Sequence, residues 1–133
     1  MDQHRKLLIV DDDTLSLEYM KYVLSKKYEV HTAAGVKPFY DLINAIKFDL
    51  IIMDVSLKDT KNGFDLTKEL KADEKYSRVP VFILTAFSSQ KDQQNASAVG
   101  ANKFLTKPAN VHQLINLIES ELQKPGINFE NFC

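Results

Sequence analysis

The 133-residue sequence predicts an α/β fold, a single domain with a five-stranded parallel sheet covered by helices on both faces. Two observations carry that expectation. Short apolar runs alternate along the chain with segments of helical periodicity. Three of the runs, Leu7-Leu8-Ile9-Val10, Leu50-Ile51-Ile52-Met53 and Val81-Phe82-Ile83-Leu84, are continuous, as in strands buried on both faces. A third observation is chemical. The first run leads straight into Asp11-Asp12-Asp13, three carboxylates that repel one another. A helix cap explains Asp13. A divalent cation with oxygen ligands is the natural explanation for all three together.

The elements follow in order. The first strand is Leu7–Val10. A helix from Thr14 to about Lys26 places Leu17, Met20 and Leu24 at helical spacing, with Lys26-Lys27 near its C-terminus. Tyr28–Ala33 alternates like a short second strand. After Gly35, Phe39, Leu42, Ile43 and Ile46 give the i, i+3, i+4, i+7 stripe of an amphipathic helix, with Pro38 tolerable in its first turn. Asp49–Met53 is the third strand and ends at Asp54. A polar loop, Val55 to Asn62, stops at Gly63, and a helix from about Phe64 to Ala72 packs Leu66 and Leu70. Pro80–Leu84 is the fourth strand, ending in Thr85-Ala86. Ser88–Val99 is weakly helical and polar, with only Ala96, Ala98 and Val99 to bury. Asn102–Thr106 is the fifth strand, ending at Lys107-Pro108. Val111, Leu114, Ile115, Ile118 and Leu122 mark the last helix, which Lys124-Pro125-Gly126 stops. The domain is therefore expected over 1–124, with 125–133 as a C-terminal tail.

Composition narrows the function. Apolar residues at 44% suffice for a core, and a net charge of −1 leaves no basic footprint for nucleic acid or anionic membrane. No run approaches the ~18 apolar residues of a membrane span. The N-terminus, Met1 to Lys6, has no signal-peptide core behind it. The single cysteine, Cys133, excludes an intramolecular disulfide and a cysteine-rich zinc site. A cytoplasmic location is expected.

Right-handed crossovers put every strand's C-terminal end on one edge of the sheet, where ligands of such folds bind. Strand one ends there in Asp11-Asp12, strand three in Asp54, strand four in Thr85 and strand five in Lys107. Three carboxylates, a hydroxyl and an ammonium group suit phosphoryl transfer to a carboxylate. A metal on the acids neutralises one side of the phosphoryl group and the lysine the other. The hydroxyl donates to an oxygen, and positioning and charge supply most of the catalysis. A carboxylate can itself be the nucleophile, giving an aspartyl phosphate.

The ordered set LLIVDDD at Leu7–Asp13, LIIMD at Leu50–Asp54, Gly63, VFILTA at Val81–Ala86 and GANKFLTKP at Gly100–Pro108 resembles the receiver domains of two-component response regulators. The resemblance covers about residues 6 to 122. It implies a flavodoxin-like (βα)5 domain of strand order 2-1-3-4-5. It implies that Asp54 is the phosphoacceptor, served by a sensor histidine kinase or a histidine phosphotransfer protein. Asp11, Asp12 and Asp54, with the carbonyl of Ser56, hold Mg²⁺, Asp12 being a more direct ligand than Asp11. Thr85 follows the phosphoryl group, Lys107 is its counter-charge, and Phe104 is the switch aromatic. Lys107-Pro108 is expected to be cis. The output is a protein-interaction surface over 88–122 that contacts a downstream protein. Ser56 and Phe87, two residues beyond Asp54 and Thr85, are the side chains placed to tune hydrolysis of the aspartyl phosphate.

The chain departs from the family in two places. Lys58 stands where many relatives have proline, in a loop one residue longer before Gly63. Phe87 stands where many are polar. Residues 125–133 are too short to form an output module, so a free-standing regulator and a piece of a larger one, such as a hybrid kinase, both stay open. Taken singly, Thr85 is an ordinary strand-end hydroxyl, Lys107 a surface lysine and Phe104 a core side chain. His4, His31 and His112 read as surface or edge residues, and Ile127, Phe129 and Phe132 as a flap or a loose end. Two rival functions share some of these residues. A haloacid-dehalogenase-like phosphatase would use Asp11 as nucleophile, with Thr85 and Lys107, and would leave Asp54 unexplained. A pseudo-receiver that only binds a partner would not need Asp54 or Lys107.

Overall fold

The computed structural model describes residues 5–86 and 88–124. Expectations for His4, Phe87 and the 125–133 tail lie outside the described residues. Ten elements alternate: β1 (Lys6–Val10), α1 (Thr14–Leu24), β2 (Glu29–Ala33), α2 (Val36–Ala45), β3 (Leu50–Met53), α3 (Gly63–Ala72), β4 (Val81–Thr85), α4 (Gln90–Ala98), β5 (Lys103–Thr106) and α5 (Val111–Gln123). All strand pairs are parallel and the order is β2-β1-β3-β4-β5, as expected.

Strand composition decides strand position. β1, β3 and β4 are the continuous apolar runs, and they take the three central places, almost wholly buried. β2 and β5 carry polar residues, and they form the half-buried edges. Successive side chains point to opposite faces. Leu8, Val10, Ile51, Met53, Val81 and Ile83 meet Phe39 and Ile43 of α2, Leu66 and Leu70 of α3 and Ala96 of α4. Leu7, Ile9, Leu50, Ile52, Phe82 and Leu84 meet Leu17, Met20 and Leu24 of α1 and Leu114 and Ile118 of α5. The sheet is thus covered by three helices on one face and two on the other.

Several boundaries differ from the sequence expectation. α1 ends at Leu24, two residues early, because a turn at 25–27 carries the N–H groups of both Lys27 and Tyr28 back to the Leu24 carbonyl. Tyr28 stays outside β2 but is buried beneath the α1 face. α4 anchors less than expected, since Ala96 alone is buried in it, with Ala98 exposed and Val99 half-buried. Its start is instead fixed by a capping box between Ser89 and Asp92. Tyr76, between α3 and β4, is a core residue that periodicity did not reveal. It is 1% exposed, and its hydroxyl donates to the Ile46 carbonyl at 2.8 Å and accepts from the Phe48 N–H at 3.3 Å.

Candidate functional site

The backbone ladder continues one step beyond the strands and fixes the chemistry at the sheet's C-terminal edge. Asp11 donates its N–H to the Ala33 carbonyl at 3.1 Å, Asp54 to Val10 at 2.9 Å and Lys107 to Thr85 at 2.9 Å. Thr85 itself is the last residue of β4 and pairs with Thr106. Four residues far apart in sequence, Asp11, Asp54, Thr85 and Lys107, are therefore brought to one edge by main-chain hydrogen bonds, and Asp12 follows Asp11.

Asp11, Asp12 and Asp54 present oxygens that all lie within 4.8 Å of one another. Asp11 and Asp54 are buried, at 4% and 6% exposure, Thr85 is fully buried, and Asp12 is half-buried at the mouth. Lys107 bridges the two buried acids, with Nζ 2.5 Å from Asp11 Oδ2 and 3.4 Å from Asp54 Oδ2. The other oxygen of Asp11 accepts from the Asp13 N–H at 3.0 Å. Asp13 caps α1 by accepting from Leu15 and Ser16, so of the three consecutive acids one is structural.

Burial and the adjacent negative charge of Asp11 raise the Asp54 carboxyl above the ordinary range. The Lys107 charge and a hydrogen bond from Thr85 oppose that rise without cancelling it. Burial alone would lower Lys107. Its bond to Asp11 and the charges of Asp54 and Asp11 outweigh burial and hold it above the usual lysine value. Lys107 between the two buried acids, and the exposed Lys58 at 4.0 Å from Asp12, leave three crowded carboxylates with a surplus of negative charge. A hard cation suits an all-oxygen donor set of this kind.

Ser56 is half-buried, two residues beyond Asp54. Phe104 is half-buried against the α2–α3–α4 face. Its ladder partner is Ile83, two residues before Thr85, so Phe104 and Thr85 are near neighbours on that face. The Lys107-Pro108 peptide is cis, as expected. His31 sits on the edge strand, 2.8 Å from Glu29, and His112 is exposed.

Three residues in the β3–α3 loop and at the start of α3 matter more than their sequence positions suggested. Gly63 is a close-approach glycine. A Cβ on it would lie 2.0 Å from the carbonyl oxygen of Asp54, and its N–H donates to Val55 at 2.8 Å. Lys58 has φ 52, which proline, fixed near −65°, cannot adopt. The loop therefore takes a shape that a proline at position 58 would forbid. Asp59 accepts from the N–H of Val36 at 3.0 Å, capping α2 from another loop because the cap residue there, Gly35, has no side chain. The bare Gly35 cap was the one available signal that α2 needs an acceptor from elsewhere.

Comparison with known proteins agrees with this fold. The model of the response regulator receiver domain family matches residues 7–119. The polar-differentiation response regulator DivK of Brucella ovis is 31% identical over 89% of this chain and 96% of its own length. The transcriptional regulatory protein YvrH of Bacillus subtilis is 33% identical over 92% of this chain, and the chain spans only 51% of YvrH. Three other curated relatives are likewise longer, the chain spanning 18% to 60% of them. The chemotaxis protein CheY4 of Vibrio cholerae superposes with a TM-score of 0.81 at 31% identity, covering 87% of this chain and 97% of that one. Among the described residues, no helix is long and apolar enough to cross a membrane. With its α/β order, its acid cluster and its bridging lysine, the chain belongs to the response regulator receiver domains of two-component systems.

Proposed function

We propose that this receiver accepts a phosphoryl group on Asp54 from the phosphohistidine of a sensor kinase or a histidine phosphotransfer protein. An Asp54 oxygen attacks phosphorus, the histidine N–P bond breaks, and an aspartyl phosphate forms. Thr85 donates its hydroxyl to a phosphoryl oxygen, and Lys107 moves from its bridge to neutralise the transferred charge. Asp11, Asp12, Asp54 and the Ser56 carbonyl would hold Mg²⁺, which supplies positive charge against the phosphoryl oxygens. The domain acts as a substrate that assists its own phosphorylation and dephosphorylation rather than as a turnover enzyme. Thr85 and Phe104 pass the change to the 88–122 face, where the weakly anchored α4 is easily biased and a downstream protein binds. Ser56 and Phe87 tune hydrolysis. The receiver occupies 1–124 in the cytoplasm, with 125–133 as a tail.

One observation carries this reading: three acids within 4.8 Å with Lys107 bridging Asp11 and Asp54. A phosphatase that used Asp11 as nucleophile would leave Asp54, buried and bridged to Asp11 by Lys107, without a role. The test is incubation with acetyl phosphate and Mg²⁺, read by intact mass. Wild type gains one phosphoryl group and Asp54→Asn gains none. Equal labelling of the two would overturn the assignment.

A further inference from the structure

The β3–α3 loop carries a charge that this chemistry does not use. Lys107 serves Asp11 and Asp54, whereas Asp12, at the mouth, faces Lys58, whose Nζ lies 4.0 Å from Asp12 Oδ2. The backbone that carries Lys58 is fastened around it. Next in sequence, Asp59 accepts from the N–H groups of Val36 at 3.0 Å and Thr60 at 2.6 Å. Lys61 donates to the Tyr40 hydroxyl at 2.8 Å and to Glu69 at 2.5 Å, and Gly63 closes the loop on Val55 at 2.8 Å. Lys58 itself is in the left-handed region, at φ 52, a conformation held by these flanking bonds.

We propose that Lys58 is a tethered counter-cation for Asp12, competing electrostatically with a divalent cation for that carboxylate and so setting the metal concentration at which the acid pocket fills. The inference rests on the reading of Asp11, Asp12 and Asp54 as the magnesium site. A cation this close to a ligand oxygen partly neutralises it and repels any second cation that shares it. The Lys58 side chain is 82% exposed and that of Asp12 only 23%, so the competition is felt through a water-like dielectric and is screened by salt. Its scale is about threefold to tenfold in affinity, that of unit charges a few ångströms apart in such a medium.

The experiment is a calorimetric Mg²⁺ titration of the full chain and three variants at low and high NaCl. Lys58→Met removes the charge and keeps the bulk. Lys58→Gly removes the charge and takes φ 52 without strain, preserving the loop. Lys58→Arg keeps the charge. At low salt the Met and Gly variants are expected to bind Mg²⁺ about threefold or more tighter than wild type and the Arg variant equally to it, with the differences collapsing near ~1 M salt. Met and Gly variants that match wild type would overturn the proposal. So would an Arg variant that shifts as far as Met, since shape and not charge would then be at work. Absence of Mg²⁺ binding by wild type would instead overturn the magnesium reading beneath it.

Discussion

Gly63 lies directly against the Asp54 peptide, with the place of a missing Cβ 2.0 Å from the Asp54 carbonyl oxygen and 2.8 Å from its carbon. The first turn of α3 can reach the proposed phosphoacceptor only because that side chain is absent. Gly63→Ala must push backbone against backbone. The expected cost is about 1–3 kcal/mol of stability, the range for overpacking a well-filled site, together with slower phosphorylation. Urea unfolding and the labelling rate check both. A variant as stable and as quickly labelled as wild type would mean the contact is slack.

Asp54 gives the metal-free protein a defined pH dependence. Its folded pKa is raised by burial and by Asp11. Between the ordinary carboxylate value and that raised value, the native state holds more protons than the unfolded state. Stability therefore falls as pH rises through that window. Asp54→Asn removes the loss. In EDTA the variant is expected to melt higher than wild type at neutral pH, with the gap closing below the ordinary carboxylate range. Saturating Mg²⁺ should stabilise wild type selectively. A melting difference that is constant across pH would contradict this.

Asp12→Ala separates metal affinity from metal-free stability. Asp12 supplies one of three oxygens within 4.8 Å, so its loss is expected to weaken Mg²⁺ binding about tenfold or more, at least the scale of losing a ligand's supporting partner. The same substitution relieves repulsion in the empty cluster, so metal-free stability should be unchanged or higher. Titration and thermal melting on one sample decide it. Unaltered affinity would remove Asp12 from the ligand set.

Phe104 and Thr85 are close neighbours on the α2–α3–α4 face, and α4 beside them buries only Ala96. Adding beryllofluoride, a mimic of the acyl phosphate, should shift amides of α4, β5 and α5 in wild type. Phe104→Ala should shrink the shifts in α4 while leaving those around Asp54. Shifts confined to α1 and β2 would rule out the 88–122 output face.

The legibility of this chain followed the range of the interactions. Leu7–Val10, Leu50–Met53 and Val81–Leu84 were readable as central strands because burial on both faces removes alternation. Asp11, Asp12, Asp54, Thr85 and Lys107 were readable as one site because parallel crossovers bring strand ends together. The loop after Asp54 was not readable. The left-handed Lys58, the Asp59 cap on α2, 23 residues away, and the near-contact of Gly63 with Asp54 depend on the loop's path, which no local pattern encodes. Tyr76 was missed for a related reason: an isolated aromatic between elements belongs to no stripe.

The central claim is that Asp54, and not Asp11 or Asp12, carries the phosphoryl group. Reductive trapping reads it directly. Borohydride converts an aspartyl phosphate to homoserine, and peptide mass spectrometry locates the converted residue. After acetyl phosphate and Mg²⁺, conversion is expected at position 54 and nowhere in 11–13, and it should vanish when Mg²⁺ is chelated. Conversion at position 11 or 12, or at 54 without dependence on the metal, would contradict the account.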